Sequence, residues 1–158
     1  MRQPKGFGLI EIVIASAVIS VALISLSLVF VLANRLTMRA TEQVRANFIA
    51  EEGIEVMRFL RDKSWSTHLE SLTAGVDYYI SFNPATSAWS ITTTNPGLID
   101  QTFQRIIRVS AVQRDASDDI VTSGGSIDSD TFKITSIVSW DIAESINVET
   151  YLSNIYEN

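Results

Sequence analysis

The sequence contains no cysteine and only one histidine, His68. The absence of cysteine excludes a disulfide framework, thiolate zinc sites and a cysteine nucleophile, and it leaves the redox compartment open. A single imidazole without an obvious partner supports neither a zinc site nor a serine hydrolase triad. Glycine is scarce too, and Gly124-Gly125 lies between predicted strands rather than before a helix, so no phosphate-binding loop is predicted. We therefore expect His68 to be exposed or to cap a helix, and we expect no enzyme activity.

Basic residues are outnumbered, since the chain has 12 Lys and Arg against 18 Asp and Glu, for a net charge of −6. Binding to a phosphate backbone requires clusters of Lys and Arg. The sequence therefore predicts no nucleic-acid partner.

The 158 residues of the chain are enough for one domain. About 120 of them remain for a modest core once the apolar N-terminal segment is set aside.

Proline is absent between Pro4 and Pro84, and the segment from Ile12 to Ala33 also has no charged residue over 22 positions. A helix of that length spans about 33 Å at 1.5 Å per residue, which matches the hydrocarbon core of a bilayer. Its polar side chains are hydroxyls that can bond to carbonyls of their own helix. They belong to Ser16, Ser20, Ser25 and Ser27. The segment is therefore predicted to be a membrane-spanning helix.

Two common kinds of N-terminal segment explain this helix incompletely. A cleaved secretory signal has an apolar stretch of about 7 to 15 residues; this stretch is longer, and residues 32–35 form a poor cleavage site. A plain signal anchor fits the length and would keep Arg2 and Lys5 in the cytoplasm, but three arginines on the other side weaken the charge asymmetry. Neither explains Glu11, since an acid at the edge of a membrane helix is costly and is by default functional.

Just before the apolar segment lies the stretch Lys5 to Glu11, with the sequence KGFGLIE. It resembles the prepilin-type cleavage and methylation signal of type IV pilins and type II secretion pseudopilins. In that family a short basic leader ends in Gly, the mature chain begins with Phe, and Glu is its fifth residue. Here the leader is residues 1–6, the junction is Gly6/Phe7 and the acid is Glu11. Gly8 departs from the Thr or Ser that is more common in the family, at a permissive position.

The resemblance implies that a membrane-embedded prepilin peptidase cleaves the chain after Gly6 and methylates the new amine of Phe7. It also implies that Glu11 pairs with the N-terminal amine of a neighbouring subunit, because a buried carboxylate is tolerable only when it is paired. The implied partners are other pilin subunits, an inner-membrane assembly platform and, before assembly, membrane lipid. The implied location is the inner or cytoplasmic membrane, with a cytoplasmic N-terminus and an exported head, and afterwards an extracellular or periplasmic filament.

Small residues in the apolar segment would let neighbouring helices approach closely in such a filament. They include Ala15, Ser16, Ser20 and Ala22, a spacing that also occurs incidentally. The segment lacks the helix-breaking proline of many major pilins, so its partial melting in a filament is left open. The chain also lacks the cysteine pair with which many major pilins close a C-terminal loop, so that loop must be held by packing. This favours a minor pilin or pseudopilin.

After Ala33 the pattern becomes amphipathic without a helix stop, which predicts one continuous helix over about residues 8–63. One face is expected to pack on a sheet; it comprises Ala46, Ile49, Ala50, Gly53, Val56, Met57 and Leu60. The acidic residues are interpreted as a solvated face with ion pairs rather than as paired catalytic carboxylates. The expected pairs are Glu55–Arg58 and Arg58–Asp62. Since glycine costs a helix about 1 kcal/mol relative to alanine, Gly53 predicts close approach of another backbone.

From Val76 onward apolar residues alternate with polar ones, as they do in β-strands. Strands are predicted in residues 76–82, 89–93, 103–111, 132–140 and 146–152, and the first two form a hairpin. Arg105 interrupts the third strand and is expected to lie at a sheet edge. The predicted fold class is α+β: a long N-terminal helix with an antiparallel sheet of four to five strands packed on its second half. The pilin resemblance implies the same ladle-like architecture.

Residues 114–130, rich in Asp, Ser and Gly, are predicted to form a loop. Calcium prefers several carboxylate oxygens on a flexible loop, and major pseudopilins, which the leader resembles, hold calcium in a C-terminal loop. The spacing fits no known calcium motif, so a solvated turn and a calcium site both stay open. The candidate ligands are Asp115, Asp118, Asp119, Asp128 and Asp130. No other cofactor is expected.

The predicted organisation is a leader (residues 1–6), an apolar transmembrane or filament-core helix (7–34), its amphipathic continuation (35–63) and a β-rich head (64–158). The predicted function is that of a structural subunit, or prepilin, of a type IV pilus or pilus-like filament, without catalysis. The alternative is a single-pass membrane protein whose exported β domain binds a ligand or a partner.

Overall fold

Helix α1 extends from Leu9 to Lys63, over 55 residues, in the computed structural model, which describes residues 8–141 and 144–156. The helix agrees with the predicted span of about 8–63. The chain divides into two compact units, residues 1–41 and residues 42–158. We refer to them as the N-terminal unit and the C-terminal unit.

In the N-terminal unit, α1 begins directly after Gly8. The amides of Glu11 and Ile12 donate to the Gly8 carbonyl at 3.0 and 3.4 Å, which closes the first turn. From Leu9 to the end of this unit the sequence has neither proline nor glycine, so nothing interrupts the ladder of backbone hydrogen bonds. The many Val and Ile residues are therefore accommodated as helix despite their modest helix propensity.

In the residues that the structure describes, the C-terminal unit contains the end of α1, a short second helix and six strands. Helix α2 spans Trp65–His68 and is capped by Ser64, whose Oγ accepts a hydrogen bond from the Thr67 amide at 3.3 Å. Serine is a favoured cap because its hydroxyl satisfies an amide that no helical carbonyl reaches. The strands are β1 (Asp77–Asn83), β2 (Ala88–Thr92), β3 (Gln104–Arg114), β4 (Ile120–Val121), β5 (Ser126–Ser139) and β6 (Ser145–Ser153).

The strands form one antiparallel sheet in the order β2-β1-β3-β5-β6, and β4 pairs with the end of β3. The α+β class, with an antiparallel sheet packed against the long helix, is confirmed. The prediction of a loop over residues 114–130 is wrong in part, because β4 lies within it and β5 begins at Ser126. The β3–β5 pairing jumps from Ala111–Phe132 to Val112–Asp128. This bulge breaks the period of two, which is why alternation fails to indicate the start of β5.

The face of α1 that packs on the sheet is the predicted one. Its buried members are Ala46, Ala50, Gly53, Val56, Met57 and Leu60. Ile49 is only half-buried, and Ile54, outside the predicted face, is buried as well. The sheet contributes alternate residues of its central strands, such as Ile107 and Ile134, which are fully buried. Each buried aliphatic side chain of this size stabilises the unit by about 1.5–3 kcal/mol.

Arg105 does not lie at a sheet edge, as predicted, but in the central strand β3, where it is only 7% exposed. Its Nη1 donates to the Ile49 carbonyl at 3.0 Å and to the Glu52 carboxylate at 2.5 Å. A buried guanidinium is stable only when its donors are satisfied, and α1 supplies both acceptors. Glu52 therefore lies on the exposed face, as predicted, and its carboxylate also serves as a partner for the buried Arg105.

The surface ion pairs of α1 follow the prediction for one pair and not for the other. Arg58 pairs with Glu55 at 2.6 Å, as expected. Asp62 pairs instead with its neighbour Arg61, at 2.7 Å. These pairs are exposed to solvent, so each contributes a fraction of a kcal/mol at most.

Gly53 faces side chains of the sheet, not another backbone as the sequence predicts. A Cβ at this position would lie 2.5 Å from the Ser136 Oγ and 3.1 Å from both the Arg105 Cδ and the Ile107 Cδ1. The Ser136 hydroxyl is fully buried and finds no hydrogen-bond partner among the described residues. Gly53 therefore permits α1 to approach the sheet closely enough for Arg105 to reach its two acceptors.

We expect Gly53→Ala to destabilise the C-terminal unit by about 1–2 kcal/mol, because overpacking outweighs the gain in helix propensity. Ser136→Ala removes the obstructing oxygen, so the double variant should be more stable than Gly53→Ala alone. Urea unfolding of the full chain in detergent, followed by tryptophan fluorescence, measures this coupling. Ser136→Ala alone is the control. A Gly53→Ala variant as stable as the wild type would contradict the packing argument.

Candidate functional site

Of the three residues assigned to processing and assembly, the structure describes Glu11. Gly6 and Phe7 lie outside the described residues. Glu11 is exposed in the first turn of α1, and its Oε2 accepts a hydrogen bond from the Gly8 amide at 2.9 Å. An acid at this position satisfies an amide that lacks a helical acceptor and lies favourably at the positive end of the helix dipole.

The contact between Glu11 and Gly8 is a partner that the sequence analysis missed. A Glu placed three residues after a helix cap is the second half of a capping box, so its spacing carries the signal. The carboxylate thus has a local role in starting α1. This role is compatible with a second one, because a carboxylate has two oxygens and accepts several hydrogen bonds.

The apolar side chains of α1 in the N-terminal unit are all on the surface. Large aliphatic and aromatic residues from Leu9 to Leu32 range from 47% to 83% exposed. No part of the most apolar 18-residue window is buried within the protein. Exposing this surface to water is strongly unfavourable, so it requires lipid or other protein around it.

The hydroxyls of this segment are satisfied within the helix, as predicted. The acceptors for Ser16, Ser20, Ser25 and Ser27 are the carbonyls of Val13, Ser16, Val21 and Leu23, at 2.7–2.9 Å. Such bonds leave no polar group in need of water. Among the described residues, α1 is the one helix long and apolar enough to cross a membrane. The segment is therefore compatible with single-pass anchoring.

The five aspartates of the candidate calcium loop are not brought together around one point. Asp118 and Asp128 both approach Arg114, whose Nε lies 3.7 Å from the Asp118 carboxylate and 2.7 Å from that of Asp128. Asp115 accepts hydrogen bonds from the amides of Ser117 and Asp119, at 2.8 and 3.1 Å. In residues 8–141 and 144–156 there is no group of three or more side chains arranged to hold a metal ion.

Arg114 links the loop to the sheet. Its Nη1 donates to the Asp118 carbonyl at 2.9 Å, and its Nη2 lies 3.4 Å from the hydroxyl of the buried Thr131. The hydrogen bond from Arg114 is the main cause that lowers the pKa of Asp128, and Thr131 and the Asp130 amide add to it. The same bond raises the pKa of Arg114. The ion pairs and hydrogen bonds of Arg114 therefore hold the loop against the sheet.

Two further features bear on a catalytic or ligand-binding role. His68 is half-exposed in the last turn of α2, where its backbone amide bonds to the Ser64 carbonyl. A groove of about 260 Å³ lies beside β4 and includes Val112, Ile120, Lys133 and Tyr151 in its lining. Lys133 there pairs with Glu149 at 2.8 Å, and this bond raises the pKa of Lys133. The groove offers a small recess of mixed polar and apolar lining with an ammonium that is already paired.

We expect Asp128→Asn to lower the stability of the C-terminal unit at pH 7 and to remove part of its sensitivity to acid. The pKa of Asp128 is lower in the folded protein than in the unfolded chain, where it is about 3.9. Its contribution is therefore present at neutral pH and is lost as the pH falls through the folded pKa.

Urea midpoints of the full chain in detergent, at pH 7 and pH 3, test this expectation through the fluorescence of the tryptophans. Asp119→Asn changes an exposed aspartate of the same loop and serves as the control. If Asp128→Asn has the wild-type midpoint at both pH values, the ion pair does not fasten the loop.

The features that bear most directly on function are thus the stretch that ends in Glu11 and the exposed apolar helix that follows it. The C-terminal unit presents a packed core and a loop whose aspartates Asp118 and Asp128 pair with Arg114. A comparison of the chain with family models, with curated proteins and with solved structures found no match.

Proposed function

We propose that this protein is the precursor of a structural subunit of a type IV pilus or pilus-like filament. In this proposal a prepilin peptidase cleaves after Gly6, the new amine of Phe7 is methylated, and the mature chain polymerises through α1. The observation that carries the proposal is the motif from Lys5 to Glu11 in register with an exposed apolar helix. The motif alone predicts processing, and the helix supplies the surface that polymerisation would bury.

The physical case for polymerisation lies in the environment of α1. Residues 12–33 carry no charge, and each of them is exposed in the part of the chain that the structure describes. In the membrane, lipid covers them, and in a filament the same helices of other subunits would do so. A permanent membrane anchor needs only the lipid environment. Cleavage after Gly6 removes the leader and keeps the helix, which fits a segment that is covered first by lipid and later by other subunits.

Glu11 has a defined role in this proposal. Cleavage after Gly6 creates an amine at Phe7, four residues before the carboxylate. On entering an apolar bundle, an ammonium and a carboxylate are each costly unless they pair. Pairing of Glu11 with the amine of an adjacent subunit would satisfy both groups and fix the axial register of the two helices.

The experiment that tests the proposal is mass measurement on the protein extracted from its native membrane and from filaments sheared off the cells. The expected species lacks residues 1–6 and carries one added methyl group on Phe7. A Gly6→Leu variant provides the mass of the uncleaved chain. An intact N-terminus in every fraction would refute the proposal.

The role of Glu11 is tested by two substitutions that separate charge from helix capping. Glu11→Ala removes both, whereas Glu11→Gln removes the charge and keeps an oxygen that accepts from the Gly8 amide. We expect both variants to be cleaved and both to enter filaments poorly, as measured by the amount of subunit in the sheared fraction. Normal incorporation of Glu11→Gln would show that the charge is not needed.

A further inference from the structure

The outward face of α1 in the C-terminal unit carries an exposed stripe whose residues are spaced four, three and four apart. It consists of Val44, Phe48, Glu51 and Glu55. Residues with this spacing lie on one side of a helix. Val44 and Phe48 are 53% and 66% exposed, although they are large and apolar, while the opposite side of this part of α1 is buried against the sheet.

A second exposed stripe with the same spacing occurs on α1 in the N-terminal unit. It consists of Leu28, Leu32, Arg35 and Arg39. Both leucines are exposed to a similar degree as Val44 and Phe48. The structure shows no ion pair between either arginine and any residue that it describes. In both stripes two apolar residues precede two charged residues, and the charges are of opposite sign.

One offset matches the two stripes at every position. Moving one helix along a parallel copy by 16 residues places Leu28 opposite Val44 and Leu32 opposite Phe48. The same offset places Arg35 opposite Glu51 and Arg39 opposite Glu55. The shift equals about 24 Å of helix at 1.5 Å per residue.

An antiparallel arrangement does not give this match. If it joins Arg35 to Glu55 and Arg39 to Glu51, it places Phe48 opposite Glu42. An apolar ring then faces a carboxylate, which is unfavourable. The pattern of the chain therefore selects parallel helices, which is also the arrangement of copies inserted into one membrane in one direction.

We propose that the stripe from Val44 to Glu55 binds the stripe from Leu28 to Arg39 of a second copy of this chain, with the helices parallel and offset by 16 residues. This copy is a different neighbour from the one whose amine pairs with Glu11, because that pair joins positions only four residues apart. The inference rests on the proposed filament function and names the two surfaces that join its subunits. Burial of the apolar half supplies affinity, and the two charge pairs set the offset, because a shift by one helical turn brings a charge against an apolar residue. Glu55 keeps its surface pair with Arg58 and gains Arg39 as a second cation.

Cysteine cross-linking tests the offset directly, because the chain has no native thiol. In Leu32→Cys/Phe48→Cys the two thiols of one copy are 16 helical residues apart, beyond the reach of a short bis-maleimide. Cross-linking in filaments should therefore produce a ladder of dimers, trimers and longer chains. Leu32→Cys/Phe59→Cys is the matched control, since Phe59 is also exposed but lies at an offset of 27 residues. It should give at least several-fold less ladder.

Charge reversal tests the ionic half of the match on the Leu32→Cys/Phe48→Cys background. Arg35→Glu/Arg39→Glu and Glu51→Arg/Glu55→Arg should each reduce the ladder several-fold. The combination of all four changes should restore it. Equal ladders from the two cysteine pairs, or no recovery in the combined variant, would overturn the inference.

These outcomes are separable from those that test the proposed function. A chain that loses its leader and enters filaments, but forms no 32–48 ladder, keeps the proposed function and refutes this interface. A ladder whose rungs contain a different protein in place of the second copy, as judged by mass, refutes it as well. A chain that keeps its leader and enters no filament refutes both.

Discussion

The apolar surface of α1 between Leu9 and Ala33 is the constraint on which the rest of the structure depends. Among the described residues, every position of this segment is exposed, so the segment needs an apolar environment around it. The backbone of this segment is satisfied by the helix, and its serine hydroxyls are satisfied by the preceding turn. Apart from the region of Glu11, the polar groups of the segment are therefore hydrogen-bonded within the helix. Its exposed apolar surface still has to be removed from water, and either lipid or another helix can cover it.

The same helix meets the opposite requirement in the C-terminal unit, where it must present one face to a sheet. Here the close approach depends on Gly53, which leaves room for Ser136, Arg105 and Ile107. The approach in turn lets Arg105 reach the Ile49 carbonyl and the Glu52 carboxylate from the central strand. The absence of a side chain at Gly53 on α1 and the long side chain of Arg105 on β3 therefore depend on each other. Neither is stable without the other, because an Arg105 left without acceptors would be a buried unpaired charge.

The elements of the fold could be predicted from the sequence where hydrophobic period carries the information. The continuity of α1, the buried face from Ala46 to Leu60 and the main strands follow from periods of 3.6 and 2. The position of Arg105 could not be predicted this way, since a charged residue in a strand pattern indicates an edge unless a partner is known. That partner, Glu52, lies 53 residues earlier on another element. The start of β5 was missed because a bulge interrupts the alternation.

The candidate metal site in the acidic loop also could not be judged from the sequence, because the sequence does not show which side chains are neighbours in space. The number of aspartates leaves a calcium site and a solvated turn both open, and it does not show that Arg114 lies among them and pairs with Asp118 and Asp128. These two carboxylates have a side-chain cation as their partner. The spacing of Glu11 from Gly6 and Phe7, by contrast, is local and could be read directly. The same carboxylate also accepts a hydrogen bond from the Gly8 amide, a local contact that the pilin resemblance does not imply.

Fastening a loop with Arg114 and Asp128 has a different physical consequence from fastening it with a disulfide. A chain without cysteine forms no disulfide in either an oxidising or a reducing compartment, so its fold does not depend on one. The ion pair makes the loop sensitive to acid and to salt instead, since protonation of Asp128 or screening weakens it. For a subunit proposed to leave the membrane for an extracellular or periplasmic filament, the relevant stress on this loop is then pH and ionic strength.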